Sequence, residues 1–225
     1  MDRYIKNRNL INSQEQKLLS TKTVAIVGLG GLGGHAAEQL ARLGFGHLIL
    51  IDDDVAAESN LNRQLFVTEK GMGIPKAELA LERLRMVNSS IKYTVHNKRL
   101  TSKNAALLLE DADIVIDALD NIPGRLMLQE ACKHLAIPLV HGSIGGWWGQ
   151  VCVVFPGDDS LSRIYSSTDA IGVEKEYGNP PFTPALVASI QVAEALKCCL
   201  NRPEVLRGML LCVNLLQYEH FTIKI

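Results

Sequence analysis

The chain has no excess of charge of either sign: 23 Lys and Arg stand against 24 Asp and Glu, evenly scattered, for a net charge of −1. Without a basic stripe, nucleic acid gains no bulk attraction to the surface, and any such contact would have to be local. No apolar run approaches the roughly 20 residues of a membrane span, and MDRYIKNRNL lacks the apolar segment of a secretory signal. The expected location is therefore cytoplasmic, with no membrane role. Cysteine pairs are missing too. Cys132, Cys152, Cys198, Cys199 and Cys212 are odd in number and form no C-x-x-C, which argues against both a disulfide framework and a zinc site. They are expected to be reduced thiols buried in strands and a helix. There is no internal repeat and no low-complexity segment. What remains is 225 residues at 47% hydrophobic content, enough for one full core and a single domain.

The most informative stretch is VAIVGLGGLGGHAAEQLARLGFGHLILIDDD, Val24 to Asp54. A β-branched and apolar run, Val24 to Val27, leads into Gly28, Gly30 and Gly33 at G-x-G-x-x-G spacing, and apolar residues then recur at helical period through Leu43. Glycine permits the tight turn and lets a phosphate approach the backbone, while free N–H groups and the helix dipole favour an anion. The following strand, His47 to Ile51, delivers Asp52 about twenty residues on, where an acid can accept from ribose hydroxyls. NAD, FAD, S-adenosylmethionine and ATP all use this arrangement, so this unit alone leaves the nucleotide open.

An arm, Arg3 to Asn9, and a helix over Gln14 to Leu19 capped by Asn12 or Ser13 precede that unit, together filling residues 1–20. After it comes the polar segment ESNLNRQLFV, then a helix with Pro75 at its first position. Lys76 there stands at the positive end of a helix, where it is either a solvated side chain or one that something anionic compensates. A strand over Ile91 to Val95, a helix from a Thr101 cap to Glu110 and an apolar strand over Asp113 to Ala118 follow. Asp120 and Asn121 end that strand, where an acid can hold a metal ion or either side chain can cap the helix before Pro123. Pro138 to His141 reads as a fifth strand, GGWWGQVCVVFPG as an antiparallel continuation, and residues 157–182 as a polar crossover loop without periodicity. A helix over Thr183 to Leu200 and a hairpin close the chain. The fold class is α/β, a Rossmann-like doubly wound sheet, mostly parallel with antiparallel C-terminal strands, forming one domain over residues 1–225.

Together, VGLGGLGG, Asp52, SNLNRQ at Ser59 to Gln64, GIPK ending at Lys76 and DALDN at Asp117 to Asn121 resemble the ThiF/MoeB/HesA family of ubiquitin-activating-type adenylyltransferases. The resemblance implies a nucleotide site for ATP built from Gly28, Gly30, Gly31 and Gly33, with Asp52 on the ribose and Asp54 beside it. It implies phosphate contacts from the Ser59–Asn60–Arg63–Gln64 segment and Lys76, with Asp120 positioning magnesium next to Asn121. Arg8, in NRN, resembles the arginine that the family inserts into a neighbouring subunit's site, which implies a homodimer. Arg8, Arg63, Lys76 and Asp120 are the implied catalytic set. The implied reaction is attack of a carrier protein's C-terminal carboxylate on ATP, the carrier being small, ubiquitin-like and Gly-Gly-ended.

Two departures qualify this. GDDSLSRIYSS has no cysteine where many members carry zinc ligands, so no zinc is expected. VEKEYGNPPFT lacks the cysteine of some members, so the acyl-adenylate is expected to be released or passed directly to a sulfur donor. Other readings stay open: activation of a carboxylate or amide on tRNA or a peptide, as by a tRNA threonylcarbamoyladenosine dehydratase; an NAD-dependent oxidoreductase; or a non-catalytic carrier-binding module.

Overall fold

The architecture follows from three strands too apolar to face water. In a computed structural model that describes residues 3–165 and 177–225, β1 (Thr23–Val27), β2 (His47–Ile51) and β4 (Ile114–Asp117) bury nearly every side chain. Such strands need cover on both faces, which crossover helices of parallel units supply. With β3 (Lys92–His96), β5 (Leu139–Gly145), β6 (Trp148–Val154), β7 (Met209–Asn214) and β8 (Glu219–Lys224), they form one sheet in the order β3-β2-β1-β4-β5-β6-β7-β8. Pairing is parallel from β3 to β5 and antiparallel from β5 to β8.

Alternate residues of β1 feed two cores. Val24 and Ile26 face a cluster with α1 (Ser13–Leu19), α2 (Gly31–Leu43), α3 (Lys76–Val87) and the long α7 (Phe182–Cys199), whereas Ala25 and Val27 face α4 (Ala105–Leu109), α5 (Ile122–Leu135) and the short α6 (Ser160–Ile164). Strand order reverses between β2 and β4 on either side of β1. Open α/β sheets bind ligands at the strand carboxyl ends at that switch point.

Several local expectations shift. Thr101 does not cap a helix: Asn104 Oδ1 accepts from the Thr101 N–H at 2.8 Å and its Nδ2 donates to the Arg99 carbonyl at 3.0 Å, so a turn persists until α4 begins at Ala105. An asparagine that can satisfy the backbone locally competes with the helix. Pro75 takes ψ 132° and stands ahead of α3 as its N-cap. The region read as a featureless loop over 157–182 contains α6, too short to show a period, and its segment 166–176, which holds Ser166, Ser167 and Val173 to Glu176 of the cysteine-free stretches, lies outside the described residues. At the N-terminus, Asn12 is the cap, in a reciprocal box with Glu15. The arm ahead of it is docked on its own chain: Tyr4 packs against Gly44 and accepts from Asn88 Nδ2 at 2.9 Å, and Arg3 also bonds Asn88.

Candidate functional site

A cleft of about 550 Å³ opens where β1, β2 and β4 end, and most of the sequence-derived residues line it: Gly28, Gly30, Gly31, Asp52, Asp54, Arg63, Gln64, Lys76, Asp120 and Asn121. Gly28 sits at φ 92°, and a side chain there would meet the Ala118 carbonyl at 2.6 Å. Gly33 faces away from the cleft, and its missing Cβ is what lets α2 press on the Gly28 carbonyl. Its role is packing.

Among the described α-helices only α1 and α5 start with a side-chain cap, so what sets α2 apart is that its uncapped start is glycine-rich and opens into the cleft. α1 starts with a capping box and α5 with the Asn121 side chain accepting from Gly124 N–H at 2.8 Å. α2, thirteen residues long, starts at Gly30 with no side-chain cap and no acid in its first turn. Its leading N–H groups and dipole are left for an anion from outside.

The cations beside that terminus are already held. Lys76, nearly buried, forms a 2.7 Å ion pair with Asp54, so of the two readings at the start of α3 the compensated one holds. Arg63 donates from Nη1 to the Ser59 carbonyl at 3.0 Å and to Asn62 Oδ1 at 2.9 Å. Ser59 and Asn60 lie on the turn Glu58–Asn60 outside the lining, where Asn60 Oδ1 accepts from Ala57 N–H at 3.0 Å. They shape the segment that presents Arg63.

Among the acids, Asp52 accepts from Leu29 N–H at 2.6 Å and Asp54 N–H at 2.8 Å, tying the β2 end to the glycine turn. Burial raises its pKa, outweighing those two amides and Lys76. The carboxylates of Asp52, Asp53 and Asp54 come within 4.8 Å of one another, yet Asp53 is paired with Arg99 at 2.9 Å and Asp54 with Lys76. Asp120 differs: exposed in the cleft, it accepts only from the neutral Asn121 amide, at 3.2 Å, among the described hydrogen bonds. Because Asn121 does the capping, Asp120 is the acid with coordination capacity to spare, and a divalent cation fits it.

Lys98, Arg99, Leu119, Arg125, Asn179 and Pro184 also line the cleft without having been singled out. Arg125 follows Asn121 by one helical turn, a spacing that could have marked it; Asn179 arrives by a 3.0 Å bond from Asn62 that spans 117 residues, which no local pattern carries. Arg8 does not line its own chain's cleft. No cysteine does either; Cys132, Cys152, Cys198 and Cys199 are pushed up to about 12 by burial.

The model of the ThiF family matches residues 2–225. The SAMP-activating enzyme E1 of Haloferax volcanii is 34% identical over 219 residues, covering 94% of this chain and 80% of its own length. The sulfur carrier protein adenylyltransferase of Thermus thermophilus is also 34% identical, covering 96% of this chain and 84% of its own. Among solved structures, E. coli tRNA N6-threonylcarbamoyladenosine dehydratase, TcdA, in complex with ATP superposes with a TM-score of 0.76 at 26% identity, over 89% of this chain and 94% of that one.

Proposed function

The chain belongs to the ThiF family, and from that premise we infer that it is an ATP-dependent adenylyltransferase activating the C-terminal carboxylate of a small ubiquitin-like sulfur carrier ending in Gly-Gly. The observation that carries this reading is the uncapped glycine-rich start of α2 with Arg63 and Lys76 in the same cleft as Asp120. A dinucleotide oxidoreductase has a use for Gly28 to Asp52 but none for those three side chains.

The reaction joins a carrier carboxylate oxygen to the α-phosphorus of ATP and breaks that phosphorus's bond to the bridging oxygen, whose electron pair leaves with pyrophosphate. The carboxylate is ionised near neutral pH, so no general base is required, and positioning with electrostatics carries the step. Charge developing on the phosphoryl oxygens meets the N–H groups of the Gly28–Gly31 turn and the cations Arg63 and Lys76, with Lys76 sharing Asp54 with the incoming phosphates. Asp52 retains lone pairs for the ribose hydroxyls. Magnesium, which Asp120 would hold, supplies charge neutralisation on the phosphates.

The whole chain is proposed to act as one adenylation domain, in the cytoplasm, as a homodimer in which each Arg8 serves the partner's cleft; the docking of the arm away from its own cleft supports this. With no thiol lining the cleft among the described residues, the acyl-adenylate is proposed to be released or passed directly to a sulfur donor. The carrier's folded body is proposed to rest on the exposed strip of Trp148, Phe221 and Ile223, which the strand register puts on one face of β6–β8. No zinc is invoked: among the described residues Cys132, Cys152 and Cys199 are buried, Cys198 and Cys212 are half-buried, and the acidic triplet is the only group of metal-ligating type. A tRNA-directed activity is the second reading, favoured by the similarity to TcdA.

Exchange of labelled pyrophosphate into ATP is the test. We expect it to require magnesium and a Gly-Gly-ended carrier. Turnover of threonylcarbamoylated tRNA with no carrier-dependent exchange would replace this reading with the second.

A further inference from the structure

Beneath the loop that bears Asp120 runs a chain of polar side chains that the nucleotide chemistry does not use directly. Asp117, the last residue of β4, and His141, its register partner within β5, are both fully buried and share a 2.7 Å hydrogen bond through His141 Nδ1. His141 Nε2 lies 3.1 Å from the Tyr165 hydroxyl, which also accepts from Gln150 Nε2 at 2.8 Å and Arg125 Nη1 at 3.2 Å. A phenol oxygen has two lone pairs and one proton. Ser143 is also within hydrogen-bond reach of that hydroxyl, so its proton can go to His141 Nε2 or to Ser143, and the imidazole that can accept it is the neutral tautomer donating Nδ1–H to Asp117. Burial, which lowers the His141 pKa despite Asp117, favours the same form.

The chain ends on the residue before Asp120. Asp117 Oδ1 accepts from Leu119 N–H at 3.1 Å, and the buried Arg125 donates to the Leu119 carbonyl from Nη2 at 2.8 Å and Nε at 3.2 Å. Leu119 is thereby gripped at both its N–H and its C=O. Tyr165 is itself held, because α6, which ends just before it, is clamped to α5 by Leu161 N–H on Gln129 at 2.8 Å, Gln129 on Ser162 at 3.2 Å and Lys133 on Asp159 at 3.0 Å.

We propose that Tyr165 is a positioning residue for Asp120: its hydroxyl holds Arg125 against the Leu119 carbonyl and so sets where the Asp120 carboxylate stands in the cleft. The competing account is that Arg125 grips Leu119 unaided and Tyr165 only fills space. The consequence for catalysis rests on the adenylyltransferase reading, so the test has one arm that does not.

That arm is calorimetric ATP binding, with magnesium and with a chelator, for the wild type, Tyr165→Phe, Arg125→Lys and the double variant. Tyr165→Phe keeps the ring and should shift Tm by about 2–4 °C. Its ATP affinity in chelator should stay within about twofold, while the gain in affinity from magnesium should shrink about fivefold, and the double variant should lose no more than the worse single one. In pyrophosphate exchange the same variant should lose kcat with KM for the carrier unchanged. An intact magnesium gain, a parallel loss in chelator, losses that multiply in the double variant, or a wild type without any magnesium gain would each overturn the proposal. If Tyr165→Phe does not fold, Tyr165→4-aminophenylalanine, which keeps the ring and a polar tip but offers Arg125 a poor acceptor, makes the same comparison. If the wild type binds ATP with magnesium but exchanges pyrophosphate with no carrier, the adenylation reading fails, and the calorimetric arm still decides the role of Tyr165.

Discussion

The two ends of the sheet solve the problem of a sheet's faces differently. On the parallel side, β1, β2 and β4 are enclosed by helices, so a ligand can approach only at their tips. On the antiparallel side, β8 exposes all six residues, and Trp148, Phe221 and Ile223 stay about half open to solvent. Enclosed strands confine chemistry to a rim, whereas an uncovered face offers apolar area to another macromolecule. On this reading the chain divides its work by strand direction.

The division is most sharply tested at Asp120. Asp120→Ala should lower pyrophosphate exchange roughly a thousandfold or more while moving Tm by less than about 2 °C, since the carboxylate is exposed at a strand tip. Near wild-type turnover in that variant would reduce the cleft to an anion site. Arg8→Ala should lower exchange roughly a hundredfold, the scale of losing one charge-stabilising donor. Mixing it with excess Asp120→Ala should restore activity in heterodimers, and a mixture no faster than its parts after verified subunit exchange refutes a shared site. On the other side of the comparison, Trp148→Ala combined with Phe221→Ala should raise KM for the carrier roughly tenfold and leave the ATP affinity alone. A fall in kcat instead would mean that the two regions do not work separately.

The smallest effect concerns the thiols. Cys132, Cys152, Cys198 and Cys199 lie near 12 in the folded chain, against an ordinary 9.0. Folded thiols then keep protons that unfolded ones release, so their contribution to stability declines as pH rises from 9 toward 12 and is flat at neutral pH. Urea midpoints should fall across that window, and iodoacetamide at pH 8 should leave these four thiols of the folded protein unmodified and the exchange activity intact, with any labelling confined to the half-buried Cys212. Rapid alkylation with loss of activity would reveal a working thiol.

Local sequence carried the parallel side well, because the glycine turn and the β4 tip depend on spacing within a few residues and Asp52 on its place at the end of the next strand of the same βαβ unit. An anionic partner for Lys76 was one of two readings legible from its place on a helix, but that partner, Asp54, twenty-two residues earlier, was visible only as a neighbour of the ribose acid. Arg125 resembled any helix-surface arginine. Its hold on Tyr165, which arrives at the end of α6, is a contact across 40 residues that no period encodes. The turn at Thr101 misled for the opposite reason, since a residue with a capping signature was followed three positions later by an asparagine able to bond the backbone on its own.

The pairing of Lys76 with Asp54 and of Arg99 with Asp53 bears on how fast nucleotide arrives. The cleft is lined by five cationic side chains, Arg63, Lys76, Lys98, Arg99 and Arg125, against the four acids Asp52, Asp53, Asp54 and Asp120, so at rest it projects almost no net field into solvent. Association of ATP should then run at an unsteered rate that changes little between low and physiological ionic strength, unlike that of a cleft with an unmatched positive lining. The strong local charges come into play only after the phosphates have entered and begun to compete for Lys76, which puts the discrimination among anions in the dissociation rate.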